Sequence, residues 1–301
     1  MEKPIRFRNK EGLNLAGILH LPDTPKRKVG ILFVHSGVQG RHGNTNQYVT
    51  YAREFCKLGF LCLRFDPHGL GDSEGVINPM DMRDFYGSIQ SGRYVVDTLT
   101  AINEFKQFGV EEIILFGLCG GSITALLTAP FVQNLKALIL LSIPIMLDSS
   151  KINYDLRIPK EIAAIHIKGY LKKIYSPKYW IRLLTLKSNF STIFSYLKAL
   201  MSGNKKLSKK EPSEGVALVN SNFFEAYNII KHNINILWIF GSNDSFWHDF
   251  KREFINHQLL LDKDELFLIE DANHMFTLTE WQAQIIEKSE QWLRKYDLAR
   301  N

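Results

Sequence analysis

Short apolar runs rich in β-branched and aromatic residues recur along the chain with amphipathic stretches between them. That is the pattern of a mostly parallel sheet covered by helices on both faces. The runs predict strands over 30–34, 60–65, 112–116, 137–141, 235–240 and 265–269. Ahead of them, residues 5–7 and 14–20 alternate as an antiparallel hairpin does. The last helix is the clearest: Trp281, Ile285, Ile286, Trp292, Leu293 and Tyr296 fall on one face, and Thr279 and Gln282 have the spacing of a capping box.

The alternation stops after Pro144 and the sheet pattern resumes at Ile234. Between them Tyr170, Tyr175, Tyr179, Trp180, Phe190, Phe194 and Tyr196 are interleaved with lysines. The flanking parts need each other to complete one sheet, so residues 145–215 read as a basic, aromatic-rich cap inserted into a core of 1–144 and 216–301.

With 301 residues, 45% hydrophobic and 23% charged, the chain is long enough for a core without disulfide or metal staples. Its three cysteines, Cys56, Cys62 and Cys119, are an odd number, and the first two lie in apolar patterns. No secretory signal or spanning segment is read, and a cytoplasmic location is expected. Charge is uneven. Residues 151–210 hold 14 Lys and Arg against two acids, +12, while the rest holds 23 against 29, −6.

The chemistry gathers where strands end. Gly117-Leu118-Cys119-Gly120-Gly121 follows the strand over 112–116 and precedes a helical pattern from Ile123 to Ala129. A nucleophile at so sharp a turn needs small flanking residues, and the glycines meet that need. A thiol there gains from the helix N-terminus and from a nearby imidazolium, both of which favour thiolate. Asp244 comes just beyond the strand over 235–240, and His274 just beyond the strand over 265–269. The order nucleophile, acid, histidine, each at one sheet edge, is that of a catalytic triad. Asp271 is the alternative acid, although so close to His274 in sequence it better suits shaping the turn. For the oxyanion, the expected backbone donors are the N–H groups of Gly120 and of Gly37, with Val38 the alternate to Gly37. Arg41 stands near the expected mouth, where it would bind a substrate carboxylate or phosphate or else brace its own loop. The segment from Arg64 to Gly75 reads as a structural turn. No metal motif or nucleotide-binding fingerprint is present, so no metal or other cofactor is expected.

These residues resemble the α/β-hydrolase superfamily over nearly the full length, and Gly117-x-Cys119-x-Gly121 is similar to the elbow of dienelactone hydrolases. A closer resemblance is to the exosortase A system-associated hydrolases. It is carried by the loop from Gly37 to Gln47, by Leu63-Arg64-Phe65-Asp66 with Gly69 to Gly75, and by Gly117-Leu118-Cys119. His35-Ser36, Gly40 and Gly120 depart from that family's usual pattern. The resemblance implies an α/β-hydrolase fold and a hydrolase of uncharacterised substrate.

A Cys119–His274–Asp244 triad would cleave esters or thioesters through an acyl-cysteine intermediate; an acyltransferase would use the same intermediate, and a hydrolase-like binding module would use none. The cap is read as a lid lining an acyl pocket. Its +12 would also suit an acyl carrier protein, a coenzyme A ester, or an anionic membrane surface with peripheral attachment. Nucleic acid is not expected as a partner, because no recognition motif accompanies the charge.

Overall fold

The computed structural model describes residues 1–23, 28–35, 37–77, 81–148 and 218–296. Eight strands form one sheet: β1 (Glu2–Arg8), β2 (Asn14–His20), β3 (Val29–Val34), β4 (Leu61–Phe65), β5 (Glu112–Leu118), β6 (Leu135–Leu141), β9 (Asn235–Gly241) and β10 (Glu265–Ile269). Their order across the sheet is β1-β2-β4-β3-β5-β6-β9-β10. β1 pairs antiparallel with β2, and β2 antiparallel with β4; every other pairing in this sheet is parallel.

The parallel strands are apolar on both faces because helices cover both. Every residue of β3 and of β4 is buried. On one side α1 (Gln47–Lys57) and α7 (Thr279–Lys295) close over Phe33, Phe116 and Ile139. On the other, α3 (Val95–Lys106), α4 (Gly120–Thr128) and α5 (Ser221–Ile230) bury Leu32, Leu115 and Leu138. α2 (Met82–Gln90) lies before α3, and α6 (Ser245–Phe250) follows β9.

The chain runs from β3 outward to β4 and then returns to place β5 on the other side of β3. At such a reversal the loops leaving the carboxyl ends of neighbouring strands diverge and open a crevice. The loop after β3 and the turn after β5 flank that crevice.

Two strands expected from sequence, β2 and β10, keep the expected limits, and the others shift by one to three residues at an end. The capping box does not form. Leu278 is the N-cap of α7 and offers no side-chain acceptor, while Gln282 is buried and its Nε2 donates to the Phe276 carbonyl at 3.0 Å. The cap expected over 145–215 falls outside the described residues beyond Asp148. The described chain ends there and resumes at Leu218, and those two points are neighbours: β7 (Met146–Leu147) pairs antiparallel with β8 (Leu218–Val219). Among the described residues, no helix is long and apolar enough to cross a membrane.

Candidate active site

β5 runs in register with β3 on one side and β6 on the other, so its carboxyl end is held from both directions. At that end Cys119 takes φ 54° and ψ −116°, a conformation that L-residues adopt only under constraint. The constraint is backbone packing. A side-chain carbon on Gly121 would sit 2.3 Å from the Val34 carbonyl oxygen, and one on Gly117 would sit 2.4 Å from the carbonyl carbon of Gly121. Only glycines let β5, the turn and the first turn of α4 approach so closely. Further bonds tie the turn to β6: Cys119 N–H donates to Leu141 O at 2.9 Å, and the Ser122 hydroxyl donates to the same oxygen at 2.7 Å.

β9 and β10 position Asp244 and His274. Their ends are stitched together by Ser242 N–H to Ile269 O at 2.9 Å and Asn243 N–H to Ala272 O at 3.0 Å. Asp244 caps α6, its Oδ1 accepting from Phe246 N–H at 3.0 Å, and its side chain is fully buried. His274 Nδ1 lies 3.0 Å from Asp244 Oδ2 and 3.1 Å from Oδ1. The Cys119 sulfur stands close enough to the imidazole to raise its pKa.

Burial alone would lower the pKa of His274, but the Asp244 carboxylate and the Cys119 sulfur outweigh it and hold the imidazole well above its ordinary value. Burial pushes Asp244 up, and His274 with the Phe246 amide more than offsets this, leaving the carboxyl below the usual range. The opposite shifts are those of two groups that favour each other's charged form. Asp271, by contrast, serves its turn: its N–H donates to Ser242 Oγ at 2.8 Å and its carbonyl accepts from Asn243 at 3.0 Å.

Cys119, Gly120 and His274 line a cavity of about 340 Å³. Val38, Tyr86, Pro144, Phe246 and Met275 supply its apolar wall, and Gln39, Asn44, Gln90 and Asp148 its polar one. The Phe246 ring meets the His274 ring edge-on at 4.6 Å between centroids, which limits the tilt of the imidazole. Of the two expected oxyanion donors, the Gly120 N–H opens α4, where amides lack intrahelical partners. Gly37 has φ 64°, and its nitrogen lies 3.0 Å from where a Gly120 side-chain carbon would be. Its neighbour Val38 reaches the cavity wall. The two glycines therefore face each other across the crevice at van der Waals distance.

Arg41 is placed differently from a substrate ligand. Its guanidinium forks between the buried Asp66, through Nη1, and Asp72, through Nη2, and its N–H also donates to Asp66 Oδ1 at 2.6 Å. It does not line the cavity. Burial opposes its charge and the two carboxylates reinforce it, with a net upward shift. Asp72 N–H adds a bond to Asp66, and Ser73 Oγ donates to the Asp66 carbonyl at 2.6 Å, so residues 66–75 brace the loop from below.

Phe246 and Met275, close in sequence to Asp244 and His274, and Tyr86, Gln90 and Asp148 were not singled out from sequence. Proximity along the chain to Asp244 and His274 would have flagged the first two. No sequence signal marks the others, whose position depends on where α2 packs.

No family model matches the chain, and no curated protein does either. Solved structures do share its architecture. An esterase of Pyrococcus furiosus is similar at a TM-score of 0.60 and 14% identity, over 98% of this chain and 91% of that one. An α/β hydrolase from Penicillium sp. sh18 gives 0.57 and 16%, over 98% and 99%. The esterase domain of a Rhodothermus marinus protein gives 0.56 and 16%, over 98% and 98%. At these identities the likeness establishes the fold, and the chain has the α/β-hydrolase fold.

Proposed function

We propose that this protein is an acyl hydrolase that cleaves an ester or thioester through a Cys119–His274–Asp244 triad. The observation that carries the reading is the convergence of three residues distant in sequence: a cysteine held at φ 54° on a strand–helix turn, and an imidazole 3.0 Å from a buried carboxylate, both on one cavity. The fold neighbours named as esterases support ester chemistry in general.

Burial opposes the charge on His274, but the Asp244 carboxylate and the Cys119 sulfur raise its pKa and favour the imidazolium. The Cys119 sulfur attacks the acyl carbon and a carbon–sulfur bond forms while the carbonyl π pair moves onto oxygen. Backbone N–H groups of Gly120 and of Gly37 or Val38 stabilise that oxyanion. When the pair returns, the bond to the alcohol or thiol breaks, and His274 protonates the departing group. A water molecule, deprotonated by His274, then attacks the thioester and releases the acid and the sulfur. Thioesters and activated esters suit a thiolate nucleophile better than amides, because a tetrahedral intermediate expels thiolate in preference to amine. Transfer of the acyl group to an alcohol or amine would use the same intermediate with water kept out.

The +12 of residues 151–210 supports a role in drawing an acidic carrier protein, a coenzyme A ester or an anionic membrane surface towards this cavity. Such recruitment weakens as salt rises.

The test is turnover of 4-nitrophenyl esters and acyl-thioesters by wild type, Cys119→Ala and His274→Ala. Wild type is expected to be active, and both variants to lose at least about a thousandfold in kcat while keeping their unfolding midpoints. Activity surviving in both variants would refute the triad.

A further inference from the structure

α2 takes no part in the triad, yet it carries a hydroxyl to the cavity. Tyr86 lines the cavity together with Cys119 and His274. Its ring lies against Gly37, where a side-chain carbon would come within 2.8 Å of Cε1 and 3.6 Å of Oη. Gly37 in turn abuts Gly120. The phenol, the loop after β3 and the first amide of α4 therefore form one continuous surface beside the nucleophile.

Half-buried, its hydroxyl makes no hydrogen bond with any described residue. Burial first, and then the negative charges of Cys119 and Asp148, raise its pKa, so the group remains an O–H donor across the physiological range.

Its position is also rigidly supported. The Gln90 amide and Asp148 pair reciprocally, with Gln90 Nε2 donating to Asp148 Oδ2 at 2.9 Å and Asp148 N–H donating to Gln90 Oε1 at 2.6 Å. Asn220 Nδ2 donates to the Gln90 carbonyl at 3.0 Å, and the Asp148 carbonyl presses on α2 where only Gly87 fits. Support of this kind fixes a donor in place before substrate arrives. A wall needing only apolar bulk would be served equally by phenylalanine.

Building on the acyl-hydrolase reading above, we propose that Tyr86 is a catalytic residue, a third oxyanion donor whose hydroxyl hydrogen-bonds the tetrahedral intermediate beside the backbone amides. The proton stays on the phenol throughout, so the donor contributes charge stabilisation alone.

The test compares wild type with Tyr86→Phe, which removes one oxygen atom, using 4-nitrophenyl acetate and butyrate as substrates. The expected loss in kcat is about 10- to 100-fold with KM changed less than about twofold. Affinity for a trifluoromethyl ketone, whose hemithioketal with Cys119 mimics the intermediate, should fall by the same factor. The unfolding midpoint and the rate of Cys119 alkylation by iodoacetamide, which makes no oxyanion, should stay unchanged. Wild-type kcat and inhibitor affinity in Tyr86→Phe would overturn the proposal while leaving the triad intact. A wild-type protein that alkylates at Cys119 but turns over no ester or thioester would overturn the hydrolase reading and this inference with it.

Discussion

The two walls of the cavity are held in different ways. The turn around Cys119 is fixed by backbone meeting backbone: Gly117 and Gly121 leave no room for a methyl group, and α4 behind them is buried along its whole length. The opposite wall, formed by α2 and the loop after β3, is fixed by side chains that reach across the fold. These are Gln90 with Asp148, Asn220 with Gln90, and Arg41 with Asp66 and Asp72. Steric exclusion does not depend on pH or salt, whereas the ion pairs of Arg41 respond to both. Cys119 is therefore held by backbone contact, and the opposite wall largely by polar side chains.

The contrast breaks most severely at Gly121. Alanine there would sit 2.3 Å from the Val34 carbonyl oxygen, so Gly121→Ala should cost 3 kcal/mol or more, by order of magnitude, and abolish activity through loss of fold. A cooperative melt with an unchanged midpoint would show the elbow to be softer than its geometry.

Next in size is Asp244→Asn, with kcat expected to fall about 10³-fold, roughly 4 kcal/mol. It also removes the main upward influence on His274, and the opposing effect of burial then lowers the imidazole pKa, as NMR titration of the ring would read. The sign for stability follows from the directions of the shifts. A raised His274 pKa stabilises the fold fully below the unfolded histidine value and loses that contribution as pH rises through the folded one. A depressed Asp244 pKa stabilises above the unfolded aspartate value and is lost as pH falls through the folded one. Wild type should therefore show a stability excess over Asp244→Asn that is widest between the two ordinary values and shrinks at either extreme.

A milder disturbance is Arg41→Ala, which leaves the buried Asp66 without its cation. About 1–3 kcal/mol of stability should be lost, with the unfolding midpoint lowered and KM for neutral and anionic esters shifted alike. A KM rise confined to anionic substrates would instead make Arg41 a substrate ligand. The smallest effect belongs to Thr279→Ala, expected to be within about 0.5 kcal/mol because Thr279 caps nothing.

Much of the elbow side was legible in the sequence because backbone collisions leave a one-dimensional trace. Glycines flanking a cysteine at the end of an apolar run can be read without knowing what packs where. Asp244 and His274 were readable for a related reason: each follows directly on a buried strand, and parallel strands bring their ends to one edge. The opposite wall left no such trace. Tyr86 acquires its place only because α2 lies over the loop after β3, and its anchor Asp148 is 58 residues away from Gln90 along the chain. Sequence put Arg41 near the mouth and left open whether its guanidinium bound substrate or braced its own loop; it pairs with Asp66 and Asp72 and does not line the cavity. The apparent capping box failed because α7 begins one residue earlier than the spacing requires, with Leu278 in the capping position. Residues 149–217, which carry all of the excess positive charge, lie outside the described structure.

The central claim is that the Cys119 sulfur becomes acylated, and trapping that adduct tests it most directly. Wild type and His274→Ala, quenched in acid within milliseconds of mixing with an acyl-thioester, would be digested and their peptides weighed. The account predicts the acyl mass on the peptide bearing Cys119 in wild type, a burst of leaving group equal to enzyme concentration, and neither in His274→Ala. Turnover with no adduct on that peptide, or with the adduct on Cys56 or Cys62, would contradict it.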